Sequence, residues 1–79
     1  HQTAIAELEV ADIYLELNLA DEAAAIYRTA ATTLRKLRLR SEEARARRGH
    51  GRAAAKTGRT PLARRELGAA IALDTAEGN

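Results

Sequence analysis

The chain has 79 residues, 46% of them hydrophobic and 30% charged, and contains no cysteine. These values are ordinary for a small globular unit. The absence of cysteine excludes disulfides and thiolate metal ligands. No apolar run reaches the ~18 to 20 residues of a membrane-spanning helix. We expect a cytoplasmic protein with a thin, alanine-rich core. Residues 1–34 hold six acidic residues and one basic residue, whereas residues 35–79 hold five acidic and twelve basic ones, giving net charges of −5 and +7.

The first two predicted helices cover residues 4–17 and 21–38, where apolar side chains recur at intervals of three and four residues. Asn18 lies between them, and asparagine is one of the few residues that tolerate a left-handed backbone, so the first helix is expected to end there. The second helix opens with Asp21 and Glu22 and closes with basic residues, as the helix dipole favours.

The third predicted helix covers residues 42–57 and is the weakest of the four. Ser41 is predicted as its N-cap, and Glu43 is placed to pair with Arg47 one turn later. Its core positions are limited to alanine and His50, and it contains Gly49 and Gly51. Each glycine costs about 1 kcal/mol relative to alanine in a helix interior. This helix therefore depends on its neighbours for stability.

The fourth predicted helix covers residues 61–77 and has clear start and stop signals. Gly58 ends the helix before it, Thr60 is predicted as its N-cap, and Pro61 occupies the first helical position, where its missing N–H is no loss. The predicted buried stripe consists of Ala63, Leu67, Ala70, Ile71 and Leu73.

The chain repeats itself with a period of forty residues. The matching positions include Ala23 with Ala63, Tyr27 with Leu67, and Ala30 with Ala70. A fixed period in the range of roughly 20 to 50 residues indicates a repeat architecture, in which each unit buries its apolar face against the next. The sequence thus predicts an all-α fold of two stacked helical hairpins, residues 1–40 and 41–79, in one structural domain.

The order of small and aromatic residues resembles the tetratricopeptide repeat. The residues that carry the resemblance are Ala11, Tyr14, Ala23, Tyr27 and Ala30 in the first copy and Gly51, Gly58, Ala63, Leu67 and Ala70 in the second. It implies an α-solenoid with a right-handed superhelix. The period exceeds the family's usual 34 residues, as in long-repeat arrays beside regulatory domains of bacterial proteins. Since the chain begins at His1 without methionine, we expect a two-repeat fragment of a longer array.

A basic stripe runs along the third helix, because Arg45, Arg48, Arg52 and Lys56 are spaced by three, four and four residues. In the tetratricopeptide family, the exposed face of each first helix lines a concave groove that binds partners. The resemblance therefore implies a partner-binding face made of Leu8, Asp12, Glu16, Arg45, Arg48, Arg52 and Lys56. The expected function is protein recognition or intramolecular scaffolding, with an acidic peptide or another domain of the parent protein as partner.

Other interpretations of the stripe remain open. It is a solvated face, or it pairs with Asp12 and Glu16 as ordinary surface ion pairs. The alternative function is nucleic-acid binding through the arginine-rich second repeat, but no aromatic residue is interleaved for base stacking. Self-association through the unpaired repeat ends is a further expectation.

No catalytic, cofactor or metal site is expected. No serine or threonine stands in a recognisable order with a histidine and an acid, and two isolated histidines do not make a metal site. His50 is predicted to be a neutral, hydrogen-bonded core group, with a pH switch as the alternative.

Overall fold

Four α-helices make up nearly all of the chain. In a computed structural model, which describes the backbone of residues 2–78 and the side chains of residues 3–76, they are α1 (Gln2–Glu16), α2 (Ala20–Lys36), α3 (Arg40–Lys56) and α4 (Thr60–Gly78). The part of the chain that the structure describes contains no strand. Each predicted helix bound lies within two residues of the observed one, which confirms the all-α fold class. His1 and Asn79 lie outside the described residues.

The three connections between helices have the same backbone conformation. Asn18, Arg38 and Gly58 have φ angles of 63°, 60° and 79°. In each case the next residue donates its amide N–H to a carbonyl five residues earlier: Leu19 to Tyr14 at 2.9 Å, Leu39 to Leu34 at 3.0 Å, and Arg59 to Ala54 at 2.8 Å. This is the Schellman arrangement of a helix C-terminus. The left-handed residue thus recurs every twenty residues, half the period seen in the sequence.

The same connections begin the following helices. The carbonyls of Leu19, Leu39 and Arg59 accept the first helical hydrogen bonds, and neither leucine provides a side-chain cap. The predictions of Ser41 and Thr60 as N-caps are wrong, because Ser41 is the second residue of α3 and Thr60 is itself the first helical residue of α4. The Schellman turn already fixes the direction of the next helix, so no side-chain cap is required.

The helices pack in chain order. Among the described residues, α1 contacts α2 and a small part of α3, α3 lies between α2 and α4, and α4 contacts α3 alone. The Cα trace measures 33 × 27 × 16 Å. Since the Cα atoms of a helix lie about 2.3 Å from its axis and packed helices are about 8–10 Å apart, a Cα extent of 16 Å corresponds to two layers of helices.

The largest buried side chains lie in the first half of the chain. Leu8, Tyr27 and Leu34 are fully buried, and they pack with alanines from α1, α2 and α3. In α4, Ala63 and Ala70 are buried as predicted, but Leu67 is 37% exposed and Ile71 is 66% exposed, so the predicted burial of these two residues is wrong. No helix within the described residues is long and apolar enough to cross a membrane.

Candidate binding groove

A groove of about 630 Å³ opens between α1 and α3, over a floor formed by α2. Six of the seven residues predicted for the partner-binding face line it: Asp12 and Glu16 of α1, and Arg45, Arg48, Arg52 and Lys56 of α3. Leu15, Tyr27 and Gly49 complete the lining. The structure therefore brings the acidic residues of α1 and the basic stripe of α3 to opposite sides of one groove.

The seventh predicted residue, Leu8, does not belong to the groove. Its side chain is completely buried in the core, so it is not available to a partner, and its inclusion in the binding face is wrong. The forty-residue shift matches Leu8 with Arg48, which is partly exposed. A leucine at the margin of a helix interface can turn fully inward, whereas an arginine there extends its charged head into water.

The floor of the groove depends on close contact between Tyr27 and Gly49. A Cβ atom at Gly49 would lie 2.7 Å from Cδ1 of the tyrosine ring and closer still to Cε1 and Cζ. The glycine thus allows α3 to approach the ring. Gly51 has the same role on the opposite side of α3, where a Cβ would lie 2.7 Å from Cγ of Leu67.

The hydroxyl of Tyr27 donates a hydrogen bond to Oδ1 of Asp12. Burial of the phenol raises its pKa well above the usual value of 10, and the hydrogen bond to the carboxylate and the negative charge of Asp12 raise it further. Arg45 donates to the other oxygen of Asp12, with 2.7 Å between Nη2 and Oδ2. Asp12 therefore joins α1, α2 and α3 and uses both of its carboxylate oxygens.

The basic stripe is neutralised at one end only. Arg45 pairs with Asp12, and Arg48 pairs with Asp74 of α4 at 2.5 Å, so α1 and α4 each supply one carboxylate. Among the described side chains, Arg52 and Lys56 form no ion pair, and neither does Glu16 on the opposite side. The predicted pairing of the stripe is thus confirmed for Asp12 and does not occur for Glu16.

A second charged cluster lies between α3 and α4. Arg47 bonds Glu43 through Nε at 2.9 Å, which confirms the predicted pair, and bonds Glu66 through Nη1 at 3.0 Å. Nδ1 of His50 lies 3.3 Å from Oε1 of Glu66. Burial acts to lower the pKa of Arg47, but its two carboxylate partners outweigh that effect and raise the pKa. The predicted burial and hydrogen bond of His50 are confirmed.

Sequence reasoning missed Leu15, Tyr27 and Gly49 as lining residues of the groove and Asp74 as the partner of Arg48. The sequence pattern identifies Tyr27 only as a repeat position, although a buried tyrosine hydroxyl usually has a hydrogen-bond partner. Glu66 was missed as well, although it lies three residues after Ala63 and four before Ala70, on the stripe that packs against α3.

No group of three or more histidine or acidic side chains with the arrangement of a metal site occurs among the described residues. Comparisons with protein-family models, with curated proteins and with solved structures find no match to the chain.

Proposed function

We propose that the chain is a protein-recognition module that binds an acidic segment of a partner, or of another domain, in the groove between α1 and α3. The tetratricopeptide resemblance, with its α-solenoid arrangement of two repeats, belongs to the same proposal. It is supported by the order of the helices, each of which packs mainly against its neighbours in the chain. The observation that carries the proposal is the pair of cations Arg52 and Lys56, which line the groove and have no ion-pair partner among the side chains of residues 3–76.

The spacing of these cations defines the ligand. Arg52 and Lys56 are four residues apart on one helix, which places them about 6 Å apart along the helix axis. Two carboxylates have a similar separation at positions i and i+4 of a helix, or at i and i+2 of a strand. Charge-assisted hydrogen bonds to both are stronger than neutral ones. Glu16 on the opposite side disfavours carboxylates there, so the acidic side of the ligand would face α3.

The test is binding of a fluorescently labelled peptide with two glutamates four residues apart, compared with the same peptide carrying glutamine. We expect the variant R52Q/K56Q to bind the acidic peptide about tenfold more weakly, equivalent to about 1.4 kcal/mol. The matched control is R35Q/K36Q, which removes the same charges from α2, where Lys36 is the last helical residue just as Lys56 is in α3. Glu16→Gln should strengthen binding.

Equal losses in R52Q/K56Q and R35Q/K36Q would show that the peptide responds to net charge and not to the groove. Affinity should fall as ionic strength rises above ~0.15 M, because exposed charges are screened. If a nonspecific DNA duplex binds with a steep salt dependence while the acidic peptide does not bind, the nucleic-acid alternative is favoured instead.

A further inference from the structure

A second pocket lies apart from the groove and shares no residue with it. Its volume is about 320 Å³, and it lies over the middle of α3, between the first half of α2 and the start of α4. Its lining includes Asp21, Arg28, His50, Arg59, Leu62 and Arg65, together with two alanines of α2. The pocket thus combines polar groups from three helices with a small apolar wall.

The charged side chains of this pocket are mostly basic. Arg28 and Arg59 form no ion pair within the described part of the chain, and Nε of Arg65 lies 3.5 Å from Oε2 of Glu66. Asp21 is the one acidic residue in the lining and also forms no ion pair there. Three guanidinium groups against one carboxylate leave a surplus of two positive charges. A surplus of this size matches a dianion better than a single carboxylate.

His50 is the most buried side chain in the lining of the pocket. Its side chain is only 8% exposed, and Nδ1 faces Oε1 of Glu66 at 3.3 Å. No hydrogen bond involves Nε2, yet no buried side-chain nitrogen or oxygen in the described residues lacks a partner. Nε2 is therefore the ring nitrogen that remains accessible, and His50 is one of the residues that line the pocket.

We propose that this pocket binds the phosphoryl group of a phosphate monoester. A monoester phosphate carries a charge of about −1.5 to −2 at neutral pH and three acceptor oxygens. Arginine forks match these oxygens geometrically, with two parallel hydrogen bonds from each guanidinium. A phosphodiester has one negative charge and leaves part of the positive surplus unmatched, so nucleic acid fits less well.

Binding at Nε2 involves one additional proton. Since the carboxylate of Glu66 can only accept, Nδ1 carries the hydrogen of a neutral His50, and Nε2 then has a lone pair. A hydrogen bond between Nε2 and a phosphate oxygen requires a proton from solvent or from the ligand. The charged groups around the ring are Asp21 and Arg28 of α2, Arg47 of α3, Arg59 before α4, and Arg65 and Glu66 of α4.

The experiment is an NMR titration of the whole chain with inorganic phosphate, O-phosphoserine and a short peptide containing phosphoserine, each at low ionic strength. We expect saturable shifts at the His50 ring and at Leu62. We also expect affinity to fall at least about tenfold in R28Q/R59Q. The control R35Q/R64Q removes two exposed arginines from the same region of sequence, α2 and α4, but outside this pocket, and should change affinity less than about twofold.

The three probes separate the sources of the phosphoryl group. Tighter binding of the phosphopeptide than of O-phosphoserine assigns the pocket to a phosphorylated side chain, whereas equal binding assigns it to a small phosphate ester. Binding of none of the three overturns the proposal. So does an equal loss in R28Q/R59Q and R35Q/R64Q, because that result means general attraction to positive charge.

A titration with sulfate tests the role of His50, because sulfate remains a dianion from about pH 5.5 to about pH 8, the range in which histidine changes charge. Sulfate affinity should increase toward the lower pH in the unmodified chain. His50→Asn retains a donor toward Glu66 but has no group at Nε2, and it should lose this increase. An unchanged pH dependence in His50→Asn contradicts the assignment of Nε2. If that variant does not fold, the arginine variants still decide the proposal.

Discussion

Between α1 and α2 the buried side chains are leucine, tyrosine and alanine, whereas between α3 and α4 they are alanine together with Glu43, His50 and Glu66. A fully buried leucine contributes about 1.5–3 kcal/mol through the hydrophobic effect, and the smaller alanine contributes much less. The second interface therefore relies on a buried charged network. Such a network stabilises only when every member is present, because a lone buried charge is costly. Substitutions at the α1–α2 interface and at the α3–α4 interface should therefore change the free energy of unfolding by different amounts.

The largest expected effect concerns Arg47. Replacement by methionine leaves Glu43 and Glu66 buried without their shared cation, and breaking a buried ion pair costs about 3–5 kcal/mol. We expect the free energy of unfolding in urea to fall by about 4 kcal/mol. The same substitution at the neighbouring Arg48, whose pair with Asp74 is about half exposed, should cost less than about 1 kcal/mol. Similar losses at both positions would contradict the distinction between the two interfaces.

An intermediate effect is expected at the contact between α2 and α3. Gly49→Ala forces a methyl group against the buried ring of Tyr27, and overpacking a core typically costs about 1–3 kcal/mol. We expect a net loss of about 2 kcal/mol in chemical unfolding. Gly68→Ala is the matched control, because a Cβ there meets no atom within 4 Å. That variant should gain about 0.5–1 kcal/mol from helix propensity. Stabilisation of both variants would show that Tyr27 can move aside freely.

The smallest expected effect is a loss of unfolding free energy at alkaline pH, which depends on Tyr27 and therefore concerns the first two helices. The folded state raises the pKa of Tyr27 and so favours the neutral phenol. This stabilisation is complete below about pH 10, the unfolded value, and is lost as the pH rises toward the folded pKa. We expect a loss of about 1 kcal/mol between about pH 10 and about pH 11.

The measurement uses Tyr14→Phe, which leaves Tyr27 as the single tyrosine, so that its ionisation can be followed by ultraviolet absorbance. In the double variant Tyr14→Phe/Tyr27→Phe, the part of the alkaline loss due to Tyr27 should be absent. An absorbance midpoint near pH 10 in the folded Tyr14→Phe protein would mean that the hydroxyl is not protected by Asp12.

The helices and most of the groove could be predicted from sequence because their signals are local. Apolar spacing located the helices, Asn18 and Gly58 located two of the turns, and the spacing of the basic stripe placed it on one helix face. Arg38 was missed as the third left-handed residue because arginine has no preference for that conformation. Its position is determined by the packing of the helices on either side.

The pair of Glu43 with Arg47 and the hydrogen bonding of His50 could be predicted, but the part that Glu66 plays in the charged network could not, because it depends on the angle between α3 and α4. Arg64, Arg65 and Glu66 are consecutive charged residues, and sequence alone does not tell which of them turns inward. The position of α3 determines that Glu66 turns inward, since α3 brings Arg47 and His50 next to it. The assignment of Leu8 to the groove failed for a related reason. Leu8 and Arg48 occupy matching positions of the two copies, but α1 packs mainly against α2, whereas α3 packs against both α2 and α4. Matching positions therefore have different surroundings.

The three Schellman turns join the helices with no spare length, because the residue that closes one helix also begins the next. A surplus residue therefore has no loop to absorb it. Insertion of one residue within α2 would rotate everything beyond it by about 100°, since a helix has 3.6 residues per turn. Arg52 and Lys56 would then leave the side of α3 that faces Glu16. The geometry of both candidate sites thus depends on the number of residues in each helix as well as on which residues these are. Natural variation in this chain should therefore include substitutions far more often than insertions.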